Sequence, residues 1–149
     1  MPLLPAENSV RIPTVLLVED EIERRLFSTL LEVHVGCNVV SVTHAAEAAA
    51  WLRNNRPDVI HTDIMMPDMS GWELLTALKE DHALAGIPVV VVSAGGIDHP
   101  ERFSFSGSVH AHLHKPVAAI SYVGAMIDAI RSVTTWIPRP KGYVGGARP

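Results

Sequence analysis

The sequence predicts an α/β domain on a five-stranded parallel sheet, and three observations predict it. Short strand-like runs alternate with helical patterns five times along the chain, the order that places crossover helices between parallel strands. The run Val89-Val90-Val91-Val92 is apolar without alternation, as a central strand buried on both faces requires. Polar residues able to do chemistry recur where the apolar runs stop, at the strand ends where such sheets bind ligands.

The first strand candidate, 14–18, is a β-branched and leucine run, and 38–43, 58–62 and 87–92 repeat that composition. The fifth, 110–113, sets Ala111 and Leu113 on one face and His110 and His112 on the other. Helix candidates fill the intervals. The 21–34 segment follows Asp20, a residue type that caps helices. The 45–54 segment is alanine-rich and reads as plain packing, 71–81 opens at Gly71, 98–105 is the weakest, and 118–135 is the longest. Residues 1–11, with Pro2 and Pro5, form an irregular lead-in. Residues 136–149, rich in Pro and Gly, form a tail that cannot continue a helix. One domain remains at 12–135.

The composition excludes several classes. The 149 residues are 48% hydrophobic and 19% charged, with a net charge of −4, which is globular and mildly acidic. That charge opposes a nucleic-acid binder working by phosphate neutralisation. A single cysteine, Cys37, excludes an internal disulfide framework and a cysteine zinc site, and reads as a small semi-buried residue. No apolar run reaches the length of a membrane span, and the start has no basic, apolar leader. The expected location is the cytoplasm, with no nucleic-acid or membrane partner.

Glu19, Asp20 and Glu21 follow the first strand, Asp63 the third, Ser93 the fourth and Lys115 the fifth. Clustered carboxylates repel one another and call for a cation, and oxygen ligands select a hard one, Mg²⁺ or Ca²⁺. A lysine and a hydroxyl beside it form a receptor for a phosphoryl group. Taken singly, each residue has a plain explanation: helix cap, loop hydroxyl, solvated charge. Four of them at four strand ends make coincidence a poor account.

With those motifs in view, the chain resembles the receiver domain of two-component response regulators, over 12–135, in the stand-alone, chemotaxis-type form. The resemblance rests on Val-Leu-Leu-Val-Glu19-Asp20-Glu21, His-Thr-Asp63-Ile-Met-Met-Pro67-Asp-Met-Ser-Gly71, Val-Val-Ser93-Ala94 and Leu-His-Lys115-Pro116. It implies a flavodoxin-like sheet of order 2-1-3-4-5 with helices on both faces. It implies Asp63 as the nucleophile that becomes an acyl phosphate. It implies Mg²⁺ held by Asp20, Asp63 and the Met65 backbone carbonyl, with Glu19 acting through water where an aspartate is often seen. Lys115 and Ser93 then receive the phosphoryl oxygens, Pro67 and Gly71 shape the turn after the acceptor, and the Lys115–Pro116 bond is cis.

The partners this implies are a histidine kinase or histidine phosphotransfer protein, a downstream protein target, and a second copy docking through the 98–105 helix, fifth strand and last helix. The only chemistry is the domain's own phosphorylation and dephosphorylation, so no separate enzyme activity is expected. A pseudo-receiver that binds partners without phosphorylation is the alternative, opposed by the intact acid pair, Asp63, Ser93 and Lys115. An aspartyl-phosphate phosphatase needs a general acid where Met65 stands, and a nucleotide binder needs a glycine-rich loop where Glu19-Asp20-Glu21 stand.

His112 replaces the usual aromatic switch residue. It is expected on an outer edge face, away from the acids, where an imidazole would make partner contact pH-sensitive. His110, His112 and His114 are spaced too widely on one strand to converge on an ion. Trp72 reads as core packing. Projecting the last helix places Ile120, Val123, Ile127 and Ile130 toward the core and Tyr122 on a second apolar face, to be covered by a partner or by Trp136, Ile137 and Tyr143 of the tail.

Overall fold

Each interior strand carries apolar side chains on both faces, so the sheet must be covered on both sides. The computed structural model describes residues 11–65, 71–94 and 109–140. In chain order the elements are β1 Thr14–Val18, α1 Glu21–Thr29 continuing as a wider π turn Leu30–Val35, β2 Asn38–Val42, α2 Ala45–Leu52, β3 Val59–Thr62, α3 Gly71–Glu80, β4 Val89–Ser93, β5 Ala111–His114 and α4 Ala119–Arg131. The sheet runs β2-β1-β3-β4-β5, with every pairing parallel. This is the flavodoxin-like order. The helix candidate at 98–105, and Pro67 and Tyr143, lie outside the described residues.

Alternation along the strands sorts the core into two layers. Leu16, Val18, Ile60, Val89 and Val91 pack with Ala45, Ala48 and Leu52 of α2 and Trp72, Leu74, Leu75 and Leu78 of α3. Val15, Leu17, Val59, Val90 and Val92 pack with Phe27 and Leu31 of α1 and Tyr122, Met126, Ala129 and Ile130 of α4. Cys37 is buried in the second layer; its thiol lies 3.8 Å from the Leu31 carbonyl, and burial pushes it up to about 12.

The last helix is rotated relative to the expected stripe. Tyr122, Met126, Ala129 and Ile130 form its buried face, whereas Ile120 is 85% exposed and Val123 and Ile127 are half-buried. Only Ile130 of the expected core stripe is fully inside. The tyrosine turns inward because a polar partner waits for its hydroxyl in the core, the ring of His61. Trp136 joins the second layer, and the Arg139 N–H donates to the Val35 carbonyl at 3.1 Å. The chain after α4 therefore turns toward the end of α1, and Ile137 stays 63% exposed.

On edge strand β5, Ala111 and Leu113 face the second layer. His112 faces the other way, half-buried, with its ring edge-on to Trp72 at 6.5 Å between centroids. His110 instead pairs with Asp128 at 2.7 Å.

At the opposite rim Asp58 binds three donors: both terminal nitrogens of Arg11, at 2.9 and 2.7 Å, and the Thr14 N–H at 2.8 Å. Burial acts to raise the Asp58 carboxyl, but these hydrogen bonds and the charges of Arg11 and Arg56 outweigh it and hold the group below the usual carboxylate range. A carboxyl depressed on folding stabilises the fold fully above its unfolded value and loses that contribution as pH falls through its folded value. Thermal melts of Asp58→Asn across the acid range should therefore show a shallower loss of stability below about pH 4 than the wild type.

Candidate functional site

Parallel pairing brings the ends of β1 and β3 side by side, with Val18 opposite Thr62. The Asp63 N–H donates to the Val18 carbonyl at 3.1 Å, and the Glu19 N–H to the Val42 carbonyl at 3.2 Å. These bonds carry the sheet one residue past the strands and set Glu19 and Asp63 next to each other.

Asp20 is the N-cap of α1, its Oδ1 accepting from the Glu23 N–H at 2.8 Å. The same residue thus serves as cap and as an exposed acid at the cleft. Glu23 follows one turn along α1, and Glu19, Asp20 and Glu23 each offer a carboxylate oxygen within 4.8 Å of the others. Asp63 is joined to this cluster by Lys115. The ammonium donates to Asp63 Oδ2 at 2.9 Å and to Glu19 Oε1 at 3.0 Å, and also pairs with Glu23. Burial acts to lower the Lys115 ammonium, but the bonds to Glu23 and Asp63 and the charges of Glu19 and Asp63 prevail and raise it above its ordinary value.

The other oxygen of Asp63, Oδ1, accepts from the Met65 N–H at 3.0 Å. Ser93 ends β4 fully buried, and its carbonyl accepts from the Lys115 N–H at 3.1 Å. The Lys115–Pro116 bond is cis, as expected. All five named positions, Glu19, Asp20, Asp63, Ser93 and Lys115, thus lie at the carboxyl edge of one sheet. The acidic groups are all oxygen donors, a set that fits a hard divalent cation.

Three participants were not assigned to the site from the sequence, although Tyr122 was placed on the second apolar face of the last helix. Glu23 could have been found from its place one helical turn after Asp20. His61 and Tyr122 lie beneath the site. Glu19 is completely buried, and its Oε2 is 2.8 Å from His61 Nε2, while His61 Nδ1 is 2.7 Å from the Tyr122 hydroxyl. The signal for His61 was a polar ring in the interior strand before Asp63. Burial pushes the Glu19 carboxyl up to about 8, Lys115 opposing the rise and Asp63 adding to it. Burial lowers His61 to about 3, leaving a neutral imidazole.

The sequence pattern of the response regulator receiver domain matches residues 15–126. This chain belongs to that family. A curated relative of the receiver chain, the polar-differentiation response regulator DivK of Brucella anthropi, is 34% identical over 120 residues, covering 80% of this chain and 94% of DivK. Among solved structures, the phosphorylated cyanobacterial phytochrome response regulator RcpA is 28% identical, with a TM-score of 0.68, covering 86% of this chain and 99% of that one. The receiver domain of the sensor histidine kinase PA1611 from Pseudomonas aeruginosa, 19% identical, shares the fold at a TM-score of 0.71, covering 81% and 99%. That structure has a magnesium ion coordinated in its active-site cleft. Receiver domains are signalling modules that take part in phosphorylation, interact with histidine kinases or phosphotransfer proteins, and bind Mg²⁺ in their acidic site.

Gly71 opens α3 against the Asp63–Ile64 segment of this receiver, its N–H donating to the Ile64 carbonyl at 2.9 Å. A Cβ there would lie 2.3 Å from the Asp63 carbonyl oxygen and 2.8 Å from Ile64 Cα. Both are backbone atoms and cannot step aside cheaply. Gly71→Ala should lose about 1–3 kcal/mol of stability in denaturant unfolding, in the range of an overpacked site.

Proposed function

We infer that this receiver is a phosphoryl-accepting switch, with Asp63 taking the phosphoryl group from a phosphohistidine of a histidine kinase or histidine phosphotransfer protein. The observation that carries the reading is Lys115 bridging Asp63 to the acidic cluster at the end of β1. An Asp63 oxygen attacks phosphorus, the P–N bond to the histidine breaks, and an acyl phosphate forms. Lys115, already 2.9 Å from Asp63 Oδ2, exchanges a carboxylate partner for a phosphoryl oxygen as charge moves outward. Ser93 offers its hydroxyl to another phosphoryl oxygen.

Asp20, Asp63 and the Met65 backbone carbonyl are the residues that would hold Mg²⁺, with Glu19 acting through water. Bound there, the ion supplies positive charge to the phosphoryl group in flight. The oxygen-only donor set and the carboxylate oxygens of Glu19, Asp20 and Glu23 gathered within 4.8 Å support that assignment.

The phosphodonor reaches Asp63 from the α1 side. Beside Lys115, residues Leu26, Phe27, Ala94, Pro116 and Val117 line a groove, and Ile22 and Leu26 on α1 are 83% and 57% exposed. That apolar rim suits a helical partner. Output passes through protein contacts at the outer face of α4, where Ile120, Val123 and Ile127 remain uncovered or half-covered, and a second copy of the chain is the partner we assign to it. No described helix is long and apolar enough to cross a membrane.

Incubation with acetyl phosphate and Mg²⁺ should add one phosphoryl mass to the wild type, and chelation of the metal should prevent it. Asp63→Asn should add none, because an amide is a poor nucleophile; labelling that persisted in that variant would remove Asp63 from the role. For the α4 surface, light scattering should detect a dimer that Ile120→Glu dissociates without lowering the melting temperature. A wild type that stays monomeric, phosphorylated or not, would contradict that assignment.

A further inference from the structure

His61 stands in an interior strand of a parallel sheet, between β1 and β4, where an aliphatic side chain is the rule. Its side chain and that of Glu19 are both fully buried. Each ring nitrogen meets one group, Nδ1 the Tyr122 hydroxyl at 2.7 Å and Nε2 Glu19 Oε2 at 2.8 Å. Phe27 packs on both rings, with centroids 4.8 Å from His61 and 4.6 Å from Tyr122.

The direction of this relay follows from what each group can do. The buried Tyr122 phenol keeps its proton, its acidity weakened by burial. A neutral imidazole has one donor and one acceptor nitrogen, and a carboxylate only accepts. In the ionised form of Glu19, the form that Lys115 and a bound cation both favour, Tyr122 O–H donates to Nδ1 and Nε2–H donates to Oε2. The second oxygen, Oε1, takes the Lys115 ammonium at 3.0 Å. Glutamate is one methylene longer than aspartate and has one more torsion to fix. A second anchor on its far oxygen supplies that restraint.

We propose that His61 is a positioning residue of the acidic site: its Nε2–H holds Glu19 Oε2 inward, so that Oε1 is presented at a fixed place to Lys115 and, through water, to the bound cation. This rests on reading the site as a Mg²⁺-dependent phosphoryl acceptor. His61 touches neither phosphoryl group nor metal and acts through Glu19 alone.

The test uses the full chain as wild type, His61→Leu, His61→Gln and Tyr122→Phe. Mg²⁺ affinity is measured by calorimetry without any phosphodonor, and the acetyl phosphate reaction is then followed against Mg²⁺ concentration. His61→Leu should lose about tenfold or more in Mg²⁺ affinity, the effect of removing an outer partner of a metal ligand. The Mg²⁺ needed for half-maximal rate should rise in step, with the rate at saturating Mg²⁺ changed by less than about threefold. His61→Gln, whose amide N–H can reach Oε2, should recover most of the affinity. Tyr122→Phe should lose about threefold, the worth of one neutral hydrogen bond.

A folded His61→Leu that binds Mg²⁺ within about twofold of wild type overturns the proposal. So does a loss that His61→Gln leaves unrecovered, which assigns the effect to packing. If His61→Leu does not fold, a Tyr122→Phe that binds Mg²⁺ as tightly as wild type overturns it equally. A wild type that accepts no phosphoryl group on Asp63 instead overturns the functional reading beneath. Unaltered Mg²⁺ affinity in a protein that is phosphorylated removes the role of His61 alone.

Discussion

Glu19 and Asp63 come together because β1 and β3 are hydrogen-bonded neighbours that end level with each other, and α1 adds Glu23 from one turn away. Carboxylates held this close repel strongly in a partly buried edge, so the fold must offset them. Lys115 does so from β5, at the far end of the sheet order, reaching across to Asp63, Glu19 and Glu23. The single ammonium thus ties the end of the edge strand to the two central ones. Any cation entering the cleft must therefore share these carboxyl groups with Lys115.

The architecture was legible because its signal is repetitive. Strand 14–18 has the same bounds in the sequence pattern and in the structure, and the other strands and helices among the described residues lie within a few residues of their runs. Asp20, Asp63, Ser93 and Lys115 were legible for a related reason: the apolar run stops and a polar residue stands at the stop. Asp20 shows that the plain and the chemical explanations need not compete, as it caps α1 while facing the cleft.

The inward turn of Tyr122 was not legible, and neither was the part played by His61. Periodicity treats a tyrosine as one more apolar side chain and cannot see a hydrogen-bond partner on a strand 61 residues away in sequence. Buried polar groups demand partners, and here that demand outweighed the aliphatic stripe. The helix turned to bury Tyr122 and left Ile120 outside. The polar core and the exposed isoleucine are two results of one rotation.

Gly36 sits at a left-handed φ of 83° where the π turn ends, and a Cβ on it would come within 2.1 Å of the Arg139 carbonyl oxygen. The chain following α4 is therefore threaded past the amino-terminal rim of the sheet, beside the start of β2. Five strand residues, about 16 Å at the usual rise, separate that rim from the acidic edge. A fluorophore, affinity handle or tether attached at Arg139 would start from the opposite pole of the molecule. Immobilising the protein at that position would leave the cleft facing outward, open to a partner much larger than itself.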